Sequence, residues 1–374
     1  MKTTKHDAQP LSLQMARSIM SRQQGVLAST NDSSALLQAG FTQKAFNAVI
    51  LQYPETKSQL NAYITKSIDS VVPVVSNATR DVKFPLDRLS NGNQLLHINT
   101  EPGKADYQQA LQALRKSVDL QPRNAQHGLW YYVYPYWSYL DGMYSFAPFI
   151  TAYAKTCDNP ASEIDDMVLQ MDLLWQHCHD NKTGLLVHGY DASHTAVWVT
   201  NNVTGASPHV WGRSLGWYCM ALIDTFELLP ATAHTARAYM AGRFRELMGA
   251  VGSAVDGKTG AWWQVMDQPG REGNYIESSA GSMFVYAMLK GLRLGVLSPQ
   301  ALLTPTGSSS ETSQRGFRDT ATRAYEYIAK TFVVDNGTTL GWNGTYYVTR
   351  PLSYNNVLGS AAFVLASLEY ERLT

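Results

Sequence analysis

The sequence is poor in cysteine and lacks the short motifs of several common enzyme classes. Its three cysteines, Cys157, Cys178 and Cys219, are far apart and form no CxxC pair. This spacing argues against a disulfide framework or a structural zinc site and allows one bridge at most. The sequence contains no glycine-rich phosphate loop, G-x-S-x-G elbow or HExxH pair. Nucleotide-binding, serine-hydrolase and zinc-protease interpretations therefore have no support.

Net charge and long apolar runs are also absent. The 30 basic and 30 acidic residues cancel, which removes the electrostatic basis for binding nucleic acid or an anionic membrane surface. No stretch approaches the roughly 18 apolar residues of a membrane span, and the first residues, MKTTKHDAQPLSLQ, lack the apolar core of a secretory signal. We therefore expect a soluble protein, either cytoplasmic or secreted with its signal removed; the sequence leaves this choice open.

Apolar residues recur at helical spacing through most of the chain. Leu60, Ile64 and Ile68, for example, fall on one helical face, whereas the alternation typical of strands is sparse. About twelve such segments lie between residues 11 and 371, which predicts an all-α protein. Helical spacing resumes directly after the best linker candidate, residues 298–316, so we predict a surface loop there and one domain over residues 1–374.

Tryptophan and tyrosine are concentrated in the loops between these segments. Many of the 9 tryptophans and 21 tyrosines stand beside polar residues and glycine, as in HGLWYYVYPYW (residues 127–137) and SPHVWGRSLGWY (residues 207–218). Flat rings stack on sugar faces while polar groups bind hydroxyls, so this composition is typical of a carbohydrate cleft. Ordinary packing of core and rim explains the same rings, and composition alone leaves both interpretations open.

Asp141 is an acidic residue within an otherwise apolar stretch, LDGMYSFAPF (residues 140–149). It precedes a helical run, where aspartate often caps the helix N-terminus. The approach to it, YYVYPYWSYL, is aromatic, and an aromatic environment disfavours the carboxylate and raises the pKa of the acid. Asp141 is therefore either a helix cap or a working acid that holds a proton near neutral pH.

Two further polar residues lie in aromatic or glycine-marked segments. His188 begins HGYD, and Arg213 stands between Trp211 and Trp217 in WGRSLGWY. Taken singly, a histidine is usually a structural polar group and an arginine usually pairs with an acid. A guanidinium held between rings, however, is well suited to bidentate binding of a carboxylate. The second interpretation predicts an acidic sugar as ligand.

Five segments occur in an order and spacing that resemble one enzyme family over roughly residues 80–370. They are LDGMYSFAPF, HGYD, SPHVWGRSLGWY, GAWWQVMDQPGREGNYIESSAGSMFVYAMLKG and PLSYNNVLGSAAFVLAS. Together they resemble glycoside hydrolase family 105, the unsaturated rhamnogalacturonyl hydrolases. The resemblance implies an (α/α)6 barrel with its active site in a cleft at one end.

The resemblance also implies roles for individual residues. Asp141 corresponds to the family's general acid and base, and Asp87, in LDRLSNGNQLL, corresponds to a second acid lining the same site and raising the pKa of Asp141 further. The set expected to bind substrate is His188, Trp211, Arg213 and Trp217 around the uronic acid, together with Tyr144 of the LDGxY motif and Trp137, where many relatives carry glutamine.

The reaction implied by the resemblance is hydration of a double bond. The substrate is an oligosaccharide left by a pectin lyase, ending in a 4-deoxy-4,5-unsaturated galacturonic acid linked to rhamnose. Protonation at C4 places positive charge at C5, water adds there, and the resulting hemiketal opens and releases the neighbouring sugar. One carboxyl group can give the first proton and take one back from water, so no cofactor and no metal is expected.

Three alternatives from the sequence remain open. An unsaturated glucuronyl hydrolase would use the same chemistry on glycosaminoglycan fragments, whose sulfates favour additional basic residues around the cleft. A sugar epimerase would need two histidines, for which His188 and His209 are available. A non-catalytic carbohydrate-binding barrel would need only the aromatic rings, with Asp141 as a cap. For the hydrolase we expect a monomer or weak homo-oligomer whose partner is an unsaturated acidic oligosaccharide, not nucleic acid or membrane.

Overall fold

Most residues of the protein are helical. The computed structural model describes residues 9–28, 32–98, 105–303, 315–335, 340–347 and 350–373. Within them the α-helices are α1 (Leu11–Ser21), α2 (Ala35–Gln52), α3 (Lys57–Val71), α4 (Ala78–Asp81), α5 (Gly92–Ile98), α6 (Ala105–Asp119), α7 (Asp141–Ala154), α8 (Pro160–Cys178), α9 (Gly212–Leu228), α10 (His234–Ser253), α11 (Ser278–Arg293), α12 (Phe317–Phe332) and α13 (Val357–Glu371). Two 3₁₀ segments, Pro54–Thr56 and Leu86–Asn91, join them.

The strands are short and lie in the connections between helices. They are β1 (Trp137–Tyr139), β2 (Gly189–Asp191), β3 (Leu302–Leu303), β4 (Arg315–Gly316), β5 (Val333–Asp335), β6 (Leu340–Tyr347) and β7 (Arg350–Tyr354). β1 pairs with β2 and β3 with β4, while β5, β6 and β7 form one antiparallel sheet. Of the predicted loop at residues 298–316, positions 304–314 lie outside the described residues, and the β3–β4 pair joins its two ends.

Six helical elements form a closed inner ring. They are α2, the 3₁₀ segment Leu86–Asn91 with its continuation α5, and α7, α9, α11 and α13; each packs on the next, and α13 packs on α2. Every residue of α11 from Ser278 to Gly291 is buried. A helix buried on all sides needs neighbours on all sides, which a central position in the barrel provides.

Six further helices pack on the outside of this ring. α1 lies against α13, α3 against α2, α6 against α5, α8 against α7, α10 against α9 and α12 against α11. α12 shows the pattern of an outer helix, because Phe317, Ala321, Ala324 and Ile328 are buried along one face. The described chain therefore confirms the predicted (α/α)6 barrel.

Two expectations drawn from what the sequence lacks can be checked in the described residues. Cys157, Cys178 and Cys219 are all free, and the last two are buried. The single bridge that their number allowed is therefore not formed. Among the described helices, none is both long enough and apolar enough to cross a membrane.

The 3₁₀ segment in the inner ring departs from a regular α-helix for a visible reason. The buried Arg88 guanidinium donates to the carbonyl of Phe84, which is the acceptor that an α-helical Arg88 N–H would use. That N–H bonds instead to Pro85, in the 3₁₀ pattern. On the other side, a Cβ on Gly40 of α2 would lie 2.7 Å from the backbone carbon of Ser90. The segment is thus fixed from both sides by close packing.

The inner helices run parallel, so their C-termini meet at one end of the barrel. Lys290 of α11 contacts Asp224 and Glu227 of α9 at 2.6 Å each, and Arg293 contacts Glu369 of α13 at 2.8 Å. Basic side chains are favoured near helix C-termini because the carbonyl groups there carry partial negative charge. A network of ion pairs therefore lines this end of the barrel.

Asp224 is the most enclosed acid of this network. It is 4% exposed, accepts from Tyr286 Oη at 2.7 Å and pairs with both Lys290 and Lys44. Burial alone raises the pKa of Asp224, but the two lysines outweigh it and lower the pKa to about 2. Removing this carboxylate would leave two lysines without their shared counter-ion.

We predict that Asp224→Asn lowers the free energy of unfolding at pH 7 by about 3–5 kcal/mol, the usual effect of breaking a buried ion pair. Because the pKa is lower in the folded state, the carboxylate stabilises above pH 4, and this contribution fades as pH falls toward 2. Urea unfolding at several pH values measures the difference. The control is Asp119→Asn, whose 47% exposed side chain pairs with Arg115 and should change stability by less than about 1 kcal/mol. Equal effects of the two substitutions would contradict the assignment.

Candidate active site

The opposite end of the barrel, where the N-termini of the inner helices meet, carries a cluster of acids. Asp141 is the first residue of α7, Asp87 is the second residue of the 3₁₀ segment, and Glu277 is the N-cap of α11. Arg213 and Ser214 lie in the first turn of α9. Backbone N–H groups at helix N-termini favour negative charge, so this end of the ring is suited to hold carboxylates.

Asp141 bonds across the barrel rather than capping its own helix. Leu140 occupies the N-cap position of α7. Asp141 Oδ2 accepts a hydrogen bond from Ser214 Oγ and lies 3.3 Å from His188 Nε2. The side chain is 23% exposed. The geometry therefore does not support the capping interpretation.

Asp87 has a very different environment. It is 5% exposed, and its Oδ2 accepts a hydrogen bond from the Tyr131 hydroxyl at 2.8 Å. Among the described residues, no group donates a hydrogen bond to its buried Oδ1. One oxygen of this carboxyl group is thus satisfied and the other is not.

The two acids consequently differ in pKa, in the opposite sense to the expectation from sequence. Burial, followed by the negative charge of Asp141, raises the pKa of Asp87 to about 7, and Tyr131 and Arg88 offset this only in part. Burial also raises the pKa of Asp141, but His188 and Ser214 outweigh it and leave that pKa below its ordinary value. The predicted raised pKa of Asp141 was therefore wrong, because two donors reach its carboxylate.

Tyr131, the donor to Asp87, is held in place by its backbone and by close packing of its ring. Its backbone N–H donates to Trp137 at 2.8 Å, and its carbonyl accepts from Leu86 at 2.9 Å. A Cβ on Gly142, the residue after Asp141, would lie 3.1 Å from Tyr131 Cδ2. The glycine of the LDG motif therefore lets the tyrosine ring lie close against α7.

Arg213 is paired with an internal carboxylate. Its Nη1 lies 3.0 Å from Glu277 Oε1, and Glu277 is fully buried. The guanidinium also lies 5.3 Å from the ring centre of Trp211. In the amide orientation that satisfies its partners, the Gln264 side-chain oxygen accepts from Trp211 Nε1 and Arg213 Nη2 at 3.1 Å each. Glu277 and Gln264 thus fix the orientation of the predicted carboxylate-binding arginine.

The two histidines considered for an epimerase are neighbours, because the His188 N–H donates to the His209 carbonyl at 3.2 Å, but their rings contact different acids. His188 lies against Asp141, as described above, whereas His209 Nδ1 lies 2.8 Å from Asp267 Oδ2. The His188 ring packs at 4.7 Å from the ring of Tyr139 and stacks at 6.5 Å from Trp211. His188 therefore connects the acid at α7 with the tryptophan at the start of α9.

Tyr144 and Trp217 lie deeper than the other predicted residues. Both are buried, their rings are 4.6 Å apart, and both pack against Phe41. Tyr144 is three residues after Asp141 and therefore about one helical turn further into the barrel. It lines a cavity of about 1010 Å³ that opens at the C-terminal end of the ring. Both rings thus lie deeper in the barrel than Asp141, and contact of Tyr144 and Trp217 with substrate stays a prediction.

Trp137 lies at the rim, in a row of aromatic rings. Its ring is 5.2 Å from that of Trp198 and 5.0 Å from that of Tyr134. Tyr139 lies 6.1 Å from Trp198 and connects this row to His188. The structure thus brings Trp137 near the acids through intervening rings rather than by direct contact.

Sequence reasoning missed the donors and acceptors that set the properties of the acids. Ser214 was visible as the neighbour of Arg213, and Glu277 as an acid just before the serine-rich start of α11. Tyr131 is one of five tyrosines in WYYVYPYWSY, and no local signal separates it from Tyr132. Only the backbone hydrogen bonds of Tyr131 in the folded loop, to Trp137 and Leu86, direct its side chain to Asp87.

The chain is similar to known glycoside hydrolases. The sequence matches the profile of Glycosyl Hydrolase Family 88 over residues 12–374. A family 105 glycoside hydrolase from C. acetobutylicum ATCC 824 is similar in structure, with 32% sequence identity, a TM-score of 0.79 and coverage of 97% of this chain and 100% of that chain. The unsaturated glucuronyl hydrolase of Bacillus sp. GL1, responsible for the degradation of glycosaminoglycan, shares the fold at 14% identity, with a TM-score of 0.63 over 96% of this chain and 95% of that chain.

A curated relative matches over a shorter region. Protein Atu3128 of Agrobacterium fabrum is 39% identical over 150 residues, which are 40% of this chain and 62% of that protein. The chain therefore spans less than two thirds of the length of this relative. The match adds sequence similarity and no information about substrate.

The raised pKa of Asp87 predicts a pH-dependent cost in stability. Folding keeps a proton on Asp87 that the unfolded chain loses near pH 4, so this group destabilises the fold increasingly as pH rises from about 4 to about 7. Asp87→Asn should therefore match the wild type at pH 4 and exceed its free energy of unfolding by about 2–4 kcal/mol at pH 8. Denaturant titrations across this range measure the gap. A gap that does not grow with pH would rule out the raised pKa.

Proposed function

Since the chain belongs to glycosyl hydrolase families 88 and 105, the unsaturated uronyl hydrolases, we propose that it removes a terminal 4,5-unsaturated galacturonic acid from the products of rhamnogalacturonan lyases. The family membership is what the motifs predicted. The proposal rests on the two carboxyl groups of Asp87 and Asp141. They lie at one end of the barrel, and their pKa values are shifted in opposite directions from the ordinary value.

The proposed reaction adds water across the C4=C5 double bond. A proton bonds to C4 using the π electrons, and the ring oxygen stabilises the positive charge at C5. Water attacks C5 and loses a proton to a carboxylate. The hemiketal then opens to a ketone at C5, and the hemiacetal left at C1 releases the neighbouring sugar. The sum is one water consumed, with no oxidant and no metal in the balance.

Asp141 is the member of the pair assigned to touch the substrate. It is the more exposed of the two, whereas Asp87 is buried. Ser214 and His188 orient its carboxylate, and a general acid or base needs such a fixed direction. Asp87 is the buried member of the pair. Because its pKa is raised to about 7 and that of Asp141 is lowered, the pair holds one proton and one negative charge just below neutral pH.

The wall formed by Trp211, Arg213 and His188 is assigned to the uronic acid. Trp211 supplies a flat face for the sugar ring, and Arg213 supplies positive charge beside it. Glu277 and Gln264 hold the guanidinium rigid, which lowers the entropy cost of binding a carboxylate. The uronate is thus recognised by a local group in a chain without net charge.

The rim favours a rhamnose-linked substrate over a sulfated one. Val133, Tyr134 and Tyr136 are exposed beside Trp137 and offer apolar surface. Rhamnose carries a methyl group that such a surface can contact, whereas the sulfates of glycosaminoglycan fragments require basic partners. The glucuronyl hydrolase of similar fold keeps the second substrate class as the alternative to test.

We predict that the purified protein removes the ultraviolet absorbance of the double bond in a rhamnogalacturonan-derived unsaturated disaccharide. Asp141→Asn and Asp87→Asn should each lower kcat by about 10²–10⁴-fold, because each removes one member of the proton-transferring pair. Asp119→Asn, which removes an exposed carboxylate on α6, is the matched control and should retain full activity.

The same assay separates the substrate classes. The rhamnose-linked substrate should exceed glycosaminoglycan-derived disaccharides in kcat/KM by about tenfold or more, the scale of one apolar contact. The opposite preference would establish the glucuronyl hydrolase alternative. Unchanged absorbance with both classes would overturn double-bond hydration altogether.

A further inference from the structure

We propose that Tyr131 is a positioning residue for the acid pair: it holds the buried Asp87 as the proton reservoir from which the more exposed Asp141 is recharged when substrate binds. The placement of the proton stands on the ligand-free geometry, and its use in catalysis rests on the proposed function.

The hydrogen bonds of the two acids place the proton on Asp87. Asp141 Oδ2 faces two donor groups, Ser214 Oγ and His188 Nε2, and is therefore satisfied as a carboxylate. Asp87 receives one donor, at Oδ2, and among the described residues none reaches its buried Oδ1. A bare buried carboxylate oxygen is costly, whereas a protonated one is not. The proton shared by the pair therefore resides on Asp87 Oδ1.

Tyr131 is fixed so that its hydroxyl stays on Asp87. Both its backbone groups are bonded, to Trp137 and Leu86, and its ring lies against Gly142 of α7. Burial and the adjacent acids raise the pKa of Tyr131 well above its ordinary value, so the hydroxyl remains a donor. Because this hydrogen bond stabilises the Asp87 anion, it keeps the reservoir proton transferable.

The proton transfer balances without any added reagent. Substrate displaces water from Asp141 and increases its proton affinity; the O–H bond at Asp87 breaks and an O–H bond at Asp141 forms. Asp141 then gives this proton to C4 and takes one from the attacking water. When the product leaves, the proton returns to Asp87. The pair carries one negative charge at the start and at the end of the cycle, and two while the positive charge stands at C5.

The groups that surround this pair are few. Asp87 is faced by Tyr131 from the loop before β1, by Asp141 from α7 and by the neighbouring Arg88. Asp141 is faced by His188 and by Tyr139, whose pKa the charge of Asp141 helps to raise. A change in the titration of Asp87 can therefore be traced to a small number of side chains.

The test combines a ligand-free readout with a kinetic one. Substrate-free wild-type protein at pH 6 should show the infrared band of a protonated carboxylic acid, and this band should titrate near pH 7. The band should be absent from Asp87→Asn. In Tyr131→Phe its midpoint should rise by about one pH unit, the scale of one hydrogen bond to a charged group. In Tyr132→Phe, which removes the hydroxyl of the next residue along the loop, the midpoint should stay unchanged.

In the kinetic readout, Tyr131→Phe should lower kcat by about tenfold with little change in KM, since the reservoir proton is held more tightly. The alkaline limb of its pH profile should move upward by about one unit, and that of Tyr132→Phe should not. A purely structural defect would lower the rate without moving this limb. A protonated band that persists in Asp87→Asn, or an unmoved midpoint in Tyr131→Phe, would overturn the proposal. The infrared readout tests the placement of the proton even if the wild type does not consume the substrate. Failure to consume the substrate would count against the proposed function alone.

Discussion

The six helical elements of the inner ring all run in the same direction, and this decides where the polar groups of the barrel lie. When six helical elements close into one ring with the same direction, all their N-termini meet at one end and all their C-termini at the other. Asp87, Asp141 and Glu277 gather at the N-terminal end, where Arg213 pairs with Glu277. At the C-terminal end, Lys290 and Arg293 pair with Asp224, Glu227 and Glu369. The charges at both ends are thus largely paired locally.

The sequence alone predicted the fold and which residues lie together at the site. It did not predict how deep each side chain lies in the barrel or which hydrogen bonds the side chains make. Helical spacing and the motif resemblance predicted the barrel, because amphipathic period and motif order are local properties of the chain. They also predicted that Asp87, Asp141, His188 and Arg213 lie at one end. Whether Tyr144 faces the cleft depends on how far α7 extends past its first turn. The donors from Ser214 and Tyr131 arise only when separate elements pack together.

The pair of acids shows how one site can provide both an acid and a base. Burial raises the pKa of both Asp87 and Asp141, and the donors that reach each carboxyl group decide in which direction its pKa is finally shifted. A buried oxygen without a donor costs stability, and such costs are commonly tolerated where chemistry needs them. The ion pairs around Asp224 at the other end stabilise the ring that holds this strained arrangement.

Hydration of the C4=C5 bond, the reaction proposed for this protein, can be tested by running it in deuterium oxide and locating the label by nuclear magnetic resonance early in the time course. We expect one deuterium at C4 of the released uronic acid, on a single face, because a fixed carboxyl group delivers it. A uronic acid that is first released with C4 unlabelled and the double bond intact would show direct attack at the anomeric carbon and would overturn the proposal.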